Sequence, residues 1–343
     1  MRDRQIDRCI QFLRISACLA VFICHFGQRL AIDNISNNLY SVSQLGRYGV
    51  ELFFVISGYL VCFSLKNRKS VIQFYKKRII RIMPLYYFCI LYYFLTETFI
   101  FRNIPNDSFN LGWLRYIFCL NGIVPSEGYF WSNIGITWTI PVFMLFYLVA
   151  PLLVRCAKST FLSALMLGFS FVISILVKRY CGGWFSSITY LPCFIFGIFV
   201  FNAKNDKRRL FALLLFQLFV FGIEFCDWSG YLSKIVQHLD LYVVSAIFAS
   251  IILFSEELVI NNRKTIIITD LLDEYSYTLY LVHGLTFCGI IDKIGMDVFN
   301  NLVGAIAFRL FIAVFITGLL TFLIHRFYEK PIQKVLSKIL LRN

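Results

Sequence analysis

Along the chain, apolar residues gather into long runs separated by short polar segments. A hydrocarbon core about 30 Å thick takes about 20 mostly apolar residues to cross as a helix. Ten such runs are read, at 9–28, 48–65, 84–101, 137–154, 160–177, 186–201, 210–225, 239–254, 275–291 and 302–325. A further stretch, 113–124, is too short and carries Arg115, which predicts an interfacial or re-entrant segment. The pattern predicts an all-α polytopic membrane protein with about ten transmembrane helices.

Charges between the runs test that count. Lys66, Arg68, Lys69, Lys76, Lys77, Arg78 and Arg81 crowd the segment between the second and third helices. Lys204, Lys207, Arg208 and Arg209 lie between the sixth and seventh, and Arg326, Lys330, Lys334, Lys338 and Arg342 follow the tenth. Ten helices with both termini cytoplasmic place all three clusters inside, as the positive-inside rule requires. Counting 113–124 as a crossing would split them. Arg14 interrupts the first run and no small-residue cleavage site follows, so the first helix is expected to stay as an anchor. No connecting loop exceeds about 35 residues, so 1–343 reads as a single transmembrane domain with no separate extramembrane domain. No internal repeat is visible. The sequons Asn34-Ile35-Ser36 and Asn106-Asp107-Ser108 fall in outward loops and read as chance matches.

Composition agrees with the runs. Hydrophobic residues make up 59% of the 343 and charged residues 15%, against about 25% charged in soluble domains. That excludes a soluble enzyme, a disordered chain and a collagen-like fibre. Phe occurs 38 times and Tyr 19 times, which suits lipid-facing surfaces and interfacial belts. The net charge of +14 follows from loop cations that hold segments inside, and it does not call for nucleic acid. Among 11 Cys there is no C-x-x-C pair. Cys18, Cys24, Cys62, Cys89, Cys193 and Cys288 lie within apolar runs as small hydrophobes, so neither a metal site nor a disulfide framework is expected.

Ionisable groups inside spans are costly and mark candidate chemistry. Arg14 and His25 stand eleven residues apart in the first run. Eleven steps of about 100° end about 20° past three full circles, so both point the same way, about 16 Å apart along the axis. Imidazole suits proton transfer near neutrality, although a histidine hydrogen-bonded between helices would serve packing equally well. Glu51 opens the second helix, where Ser57-Gly58 permits close helix approach. Phe74 to Pro84 forms a basic, amphipathic stretch, with Pro84 opening the third helix; on composition alone it reads as a topology anchor or a contact to anionic lipid.

Taken together, these strings resemble the acyltransferase 3 family of integral-membrane acyltransferases. The resemblance rests on Arg14-x10-His25, on Gly49-Val50-Glu51-Leu52-Phe53-Phe54-Val55-Ile56-Ser57-Gly58-Tyr59-Leu60, and on Arg78-x-x-Arg81 just before Pro84. Trp138-Thr139-Ile140 with Tyr147 and Pro151, Tyr275 to His283, and Phe327-Tyr328-Glu329-Lys330-Pro331 follow in the right order. Many members carry a Glu five residues after this Trp, where this chain has Phe143.

The resemblance implies transfer of an acyl group, commonly acetyl, from a coenzyme A thioester (acetyl-CoA or another acyl-CoA) to a hydroxyl of a carbohydrate. It implies donor binding by Arg14, Arg78 and Arg81, because phosphate recognition favours the planar guanidinium. His25 would then deprotonate the acceptor or carry the acyl group transiently. Glu51, His283, Glu329 and Trp138 are further site candidates, with packing as the competing reading for each; Trp138 and Tyr147 read as packing or belt residues. His238 and His325 have no nameable partner. The expected place is a cell membrane, the bacterial inner membrane by this reading, with membrane lipid around the protein and the oligomeric state open. A lipid-linked sugar transporter or a surface-polysaccharide polymerase would be equally apolar and many-spanning, but would leave Arg14-x10-His25 with a cytoplasmic Arg-x-x-Arg unexplained.

Overall fold

The computed structural model describes residues 2–32, 37–66, 70–100, 112–120, 123, 136–181, 185–203, 239–255, 262–289 and 302–341. The run 210–225, the cluster 204–209, Arg68, Lys69, Arg342, both sequons and His238 lie outside the described residues. All regular structure among the described residues is helical. The helices are α1 (Arg2–Ile32), α2 (Asn37–Ser43), α3 (Gly49–Lys66), α4 (Val71–Leu95), α5 (Gly112–Ile117) and α6 (Thr139–Cys156). They continue with α7 (Thr160–Tyr180), α8 (Leu191–Ala203), α9 (Leu239–Ser255), α10 (Arg263–Gly289), α11 (Leu302–Ile324) and α12 (Lys330–Leu340). Seven helical stretches among the described residues are long and apolar enough to cross a membrane. Of the rest, α9 is a shorter apolar helix, and α10 carries Asp270, Asp273 and Glu274 in its first half. The protein is a multi-pass membrane protein. The short α5 carries Arg115 and occupies the stretch expected not to cross.

Two expected boundaries are corrected. The third helix was expected from 84, but α4 begins at Val71 and holds Pro84 in its interior. The basic stretch and the apolar run are therefore one helix. A proline inside a helix removes one backbone bond, which a membrane protein tolerates when neighbouring side chains satisfy nearby carbonyls. Here Gln333 donates to the Arg81 carbonyl at 3.4 Å, Tyr277 to that of Ile82 at 2.8 Å and Tyr328 to that of Pro84 at 3.1 Å. The tenth run was expected to end at 325, yet α11 passes through a π-helical turn, His325–Glu329, directly into α12.

Two packings position the site. Helix α3 lies along α8, where a Cβ at Gly58 would stand 2.0 Å from the Phe194 carbonyl oxygen and one at Gly197 2.0 Å from that of Val55. Only glycine permits backbones that close, the small-residue packing that membrane helices use. Helix α1 lies along α10, with contacts ascending together from Arg14–Asp273 through Cys18–Ser276 to Phe26–Phe287, so the two helices run parallel.

Candidate active site

Arg14 and His25 of the first span both meet α10. The Arg14 guanidinium donates to Asp273 Oδ2 at 2.7 Å. His25 stacks obliquely on His283, ring centroids 5.2 Å apart, and its Nδ1 lies 2.9 Å from Gln28 Oε1. His283 is buried among Phe22, Tyr280 and Phe287. Its Nδ1–H donates to the Leu279 carbonyl at 3.3 Å, and its Nε2 has no hydrogen-bond partner among the described residues. Two imidazoles thus share one apolar pocket.

On the α3 side of α10, a cavity of about 720 Å³ opens between α1, α3, α4, α6 and α10. That volume lies within the range of small-molecule sites. Four cations line it: Arg14 from α1 and Lys77, Arg78 and Arg81 from one face of α4. Among the described residues only Arg14 of the four is paired with a carboxylate. Arg78 lies over the Tyr147 ring at 4.6 Å and over Phe74 at 5.3 Å, a cation–π seat that orients a guanidinium without neutralising it. The remaining walls are mostly apolar and aromatic, including Phe53, Phe63, Phe143, Tyr147, Tyr277 and Tyr280, with Ser57, Ser64 and Ser276 as small polar points. The arrangement can hold a polyanion at the cations and an apolar chain along the rings.

His25 is not among the residues that line this cavity. Tyr280 forms part of the wall, His283 lies behind it with ring centroids 5.8 Å apart, and His25 lies behind His283. Tyr280 is held by its hydroxyl, which donates to Thr139 at 3.2 Å.

Other residues singled out in the sequence go elsewhere. Glu51 is buried in the first turn of α3 and does not line the cavity. Trp138 packs against Tyr190 and Phe54, with centroids at 5.0 and 6.3 Å. Phe143 faces the cavity and packs on Phe54 at 4.9 Å, so a ring lines the wall at the position where the family resemblance leads one to look for a carboxylate. Tyr147, read as packing or belt, is instead a cavity wall beneath Arg78.

Glu329 sits in the π-helical turn after α11 with its carboxylate filled. Thr278 donates to it, His325 Nδ1 lies 2.8 Å away, and Gln333 donates at 2.9 Å. His325, for which the sequence offered no partner, joins Glu329 to Glu274, 3.4 Å from its Nε2. The spacing of four between His325 and Glu329 was the available signal. Lys330 closes the network by pairing with Glu274, and that hydrogen bond holds the Glu274 carboxylate below its usual range. Asp273 and Gln28 were not singled out in the sequence. The signal for Asp273 was an acidic group just ahead of an apolar run, at a position able to meet Arg14.

The acyltransferase 3 profile, described as an acyltransferase domain, matches residues 7–326. The chain belongs to this family. The acyltransferase MdmB of Streptomyces mycarofaciens is 26% identical over 152 residues, covering 43% of this chain and 38% of its own length. The chain therefore matches less than half the length of that curated relative. ORF330 of Acidianus two-tailed virus, named as an acetyltransferase, is 22% identical over 256 residues, covering 71% of this chain and 74% of its own. No solved structure matches the chain.

Proposed function

We propose that the protein moves an acyl group, acetyl in the simplest case, from a coenzyme A thioester to a hydroxyl of a cell-surface carbohydrate or its lipid-linked precursor. The observation that carries this reading is the cavity in which Arg14 and three α4 cations, the latter three without a carboxylate partner among the described residues, face rings and small hydroxyls. Phosphates on one end of the donor meet Lys77, Arg78 and Arg81 through charge-assisted hydrogen bonds, and the thinner acyl arm runs along the aromatic wall. Because the Tyr280–His283 ring pair stands between the cavity and His25, this reading requires the pair to turn aside so that the acyl carbon and the acceptor hydroxyl meet on the same side of the His25 ring.

In the direct route His25 takes the acceptor proton, the oxygen attacks the thioester carbon, the C–S bond breaks and the thiolate leaves with a proton. In the covalent route a ring nitrogen of His25 attacks the thioester carbon, the C–S bond breaks and the thiolate leaves. The acceptor oxygen then attacks the acyl-imidazole, the N–C bond breaks and the acceptor's proton ends on the thiolate. Family membership and the acyltransferase names of its relatives support the class of reaction. The orientation that goes with it has both termini in the cytoplasm of a bacterial inner membrane. Single cysteine reporters at 68 and 206 in a Cys-depleted background then react only from the cytoplasmic side, and one at 107 only from outside.

The test is thioester-dependent transfer by purified protein in lipid, together with mass spectrometry of glycans from cells with and without it. Thiol release from acetyl-CoA that depends on a carbohydrate acceptor supports the reading. Sugar movement without any thioester would replace it with a transporter.

A further inference from the structure

A histidine acts as a base through one ring nitrogen, and the hydrogen bond at the other decides which one it is. His25 Nδ1 lies 2.9 Å from Gln28 Oε1, so the tautomer depends on which end of the Gln28 amide faces the ring. An amide's orientation is read from its hydrogen-bond network, and this network has a fixed end. Ser43 Oγ lies 2.7 Å from the Tyr40 carbonyl oxygen. A carbonyl only accepts, so the one hydroxyl proton of Ser43 is committed there. Ser43 Oγ therefore accepts from Gln44 Nε2 at 3.3 Å. That turns Gln44 Oε1 towards α1, where it accepts from Gln28 Nε2 at 3.3 Å and from the Cys24 thiol at 3.7 Å. Gln28 Oε1 is left facing His25, and it too only accepts.

The chain of bonds is built into the backbone. A Cβ at Gly27 would stand 1.8 Å from Ser43 Oγ, and one at Gly46 would stand 2.0 Å from the Ala20 carbonyl oxygen. Glycine at these positions lets the α2–α3 corner press onto α1 and brings Ser43 and Gln44 beside Gln28.

We propose that Gln28, held by Gln44 and Ser43, is a positioning residue that fixes His25 as the Nδ1–H tautomer and leaves Nε2 as the nitrogen that takes the acceptor proton. The proposal rests on the reading of His25 as the chemical centre. It also gives Gln28 a role in kcat and none in donor binding, because the polar contacts of Gln28 are on the His25 side and it does not line the cavity.

The test uses the full chain labelled with ¹⁵N-histidine in nanodiscs, with the His25 signals identified by their loss in His25→Gln. In the unsubstituted protein, at a pH where the ring is neutral, the ¹⁵N shifts report Nδ1 protonated and Nε2 bare. In Gln28→Leu the signals move towards the Nε2–H form, and kcat falls about tenfold or more while donor KM stays within about twofold. Gln28→Glu keeps an acceptor at Nδ1, and restores the tautomer and most of kcat. Gln44→Leu, which leaves Gln28 in place but frees its amide to turn, gives a smaller shift in the same direction. An Nε2–H signal in the unsubstituted protein overturns the proposal, and so does a Gln28→Leu protein with unchanged tautomer and kcat. The unsubstituted spectrum decides the tautomer even if Gln28→Leu fails to fold. If His25→Gln still transfers acyl groups at the normal rate, the chemical-centre reading falls instead, whatever tautomer the spectrum shows.

Discussion

The cavity wall and the turn after α11 both gather charged side chains between apolar helices, yet they are built in opposite ways. At the turn both carboxylates are filled: Lys330 and His325 reach Glu274, and His325, Thr278 and Gln333 reach Glu329. At the cavity four cations share the wall with no carboxylate among the described residues that line it, and Arg14 alone of the four pairs with one, Asp273. A network that is satisfied within the protein locks helices together and has little left with which to hold a ligand. Cations on a cavity wall without a carboxylate partner keep their hydrogen-bond donors available to an anion. The first arrangement staples α10 to the turn; the second leaves charge available to a ligand, which is why donor binding is proposed there.

The sharpest way to break this contrast lies at His25, beyond the cavity. His25→Gln is expected to lower transfer by roughly 10²–10⁴, the range for losing a general acid–base group, with thermal unfolding near that of the unsubstituted protein. Transfer at close to the normal rate would remove His25 from the chemistry and make His283 the next candidate. Next come the cavity cations. Arg78→Ala and Arg81→Ala each remove a charge-assisted bond of roughly 1.5–3 kcal/mol, which is about tenfold or more in coenzyme A affinity by titration calorimetry. Unchanged affinity in both would return the α4 cations to a lipid-anchoring role.

The staple should respond in the other currency. Glu329→Leu leaves the Thr278 hydroxyl and the His325 ring nitrogen without their acceptor, for a loss of about 1–3 kcal/mol in stability. A lowered Tm with normal donor affinity in the folded fraction is expected, and a donor-binding defect at unchanged Tm would move Glu329 into the site. The smallest effect concerns the seat of Arg78. Tyr147→Leu removes a cation–π contact of about 0.5–1 kcal/mol, and donor affinity should fall about two- to fivefold. Tyr147→Phe, which keeps the ring, should stay within about twofold of normal.

Much of this contrast is written in the chain order. Runs of apolar residues must close their own backbone hydrogen bonds in lipid, so they form helices wherever they occur. The helical period likewise put Arg14 and His25 on one face, and both do meet the same neighbour. The period also sets Lys77, Arg78 and Arg81 close together on α4. Pro84 misled, because a proline reads as a boundary from local rules alone, while carbonyls near it are met by donors from Tyr277, Tyr328 and Gln333 far along the chain.

By itself, then, the sequence determined the helical membrane class, the face of each helix that carries charge and the family strings, since all of these follow from composition and a period of a few residues. Only the tertiary structure decided that Asp273 answers Arg14, that Glu329 is enclosed while Arg78 is not, and that Gln28 turns its oxygen to His25. Period fixes the direction in which a side chain points along its own helix. Which helix stands opposite is a choice among many apolar faces of nearly equal hydrophobicity, settled by close packing at glycines such as Gly58, Gly197 and Gly27.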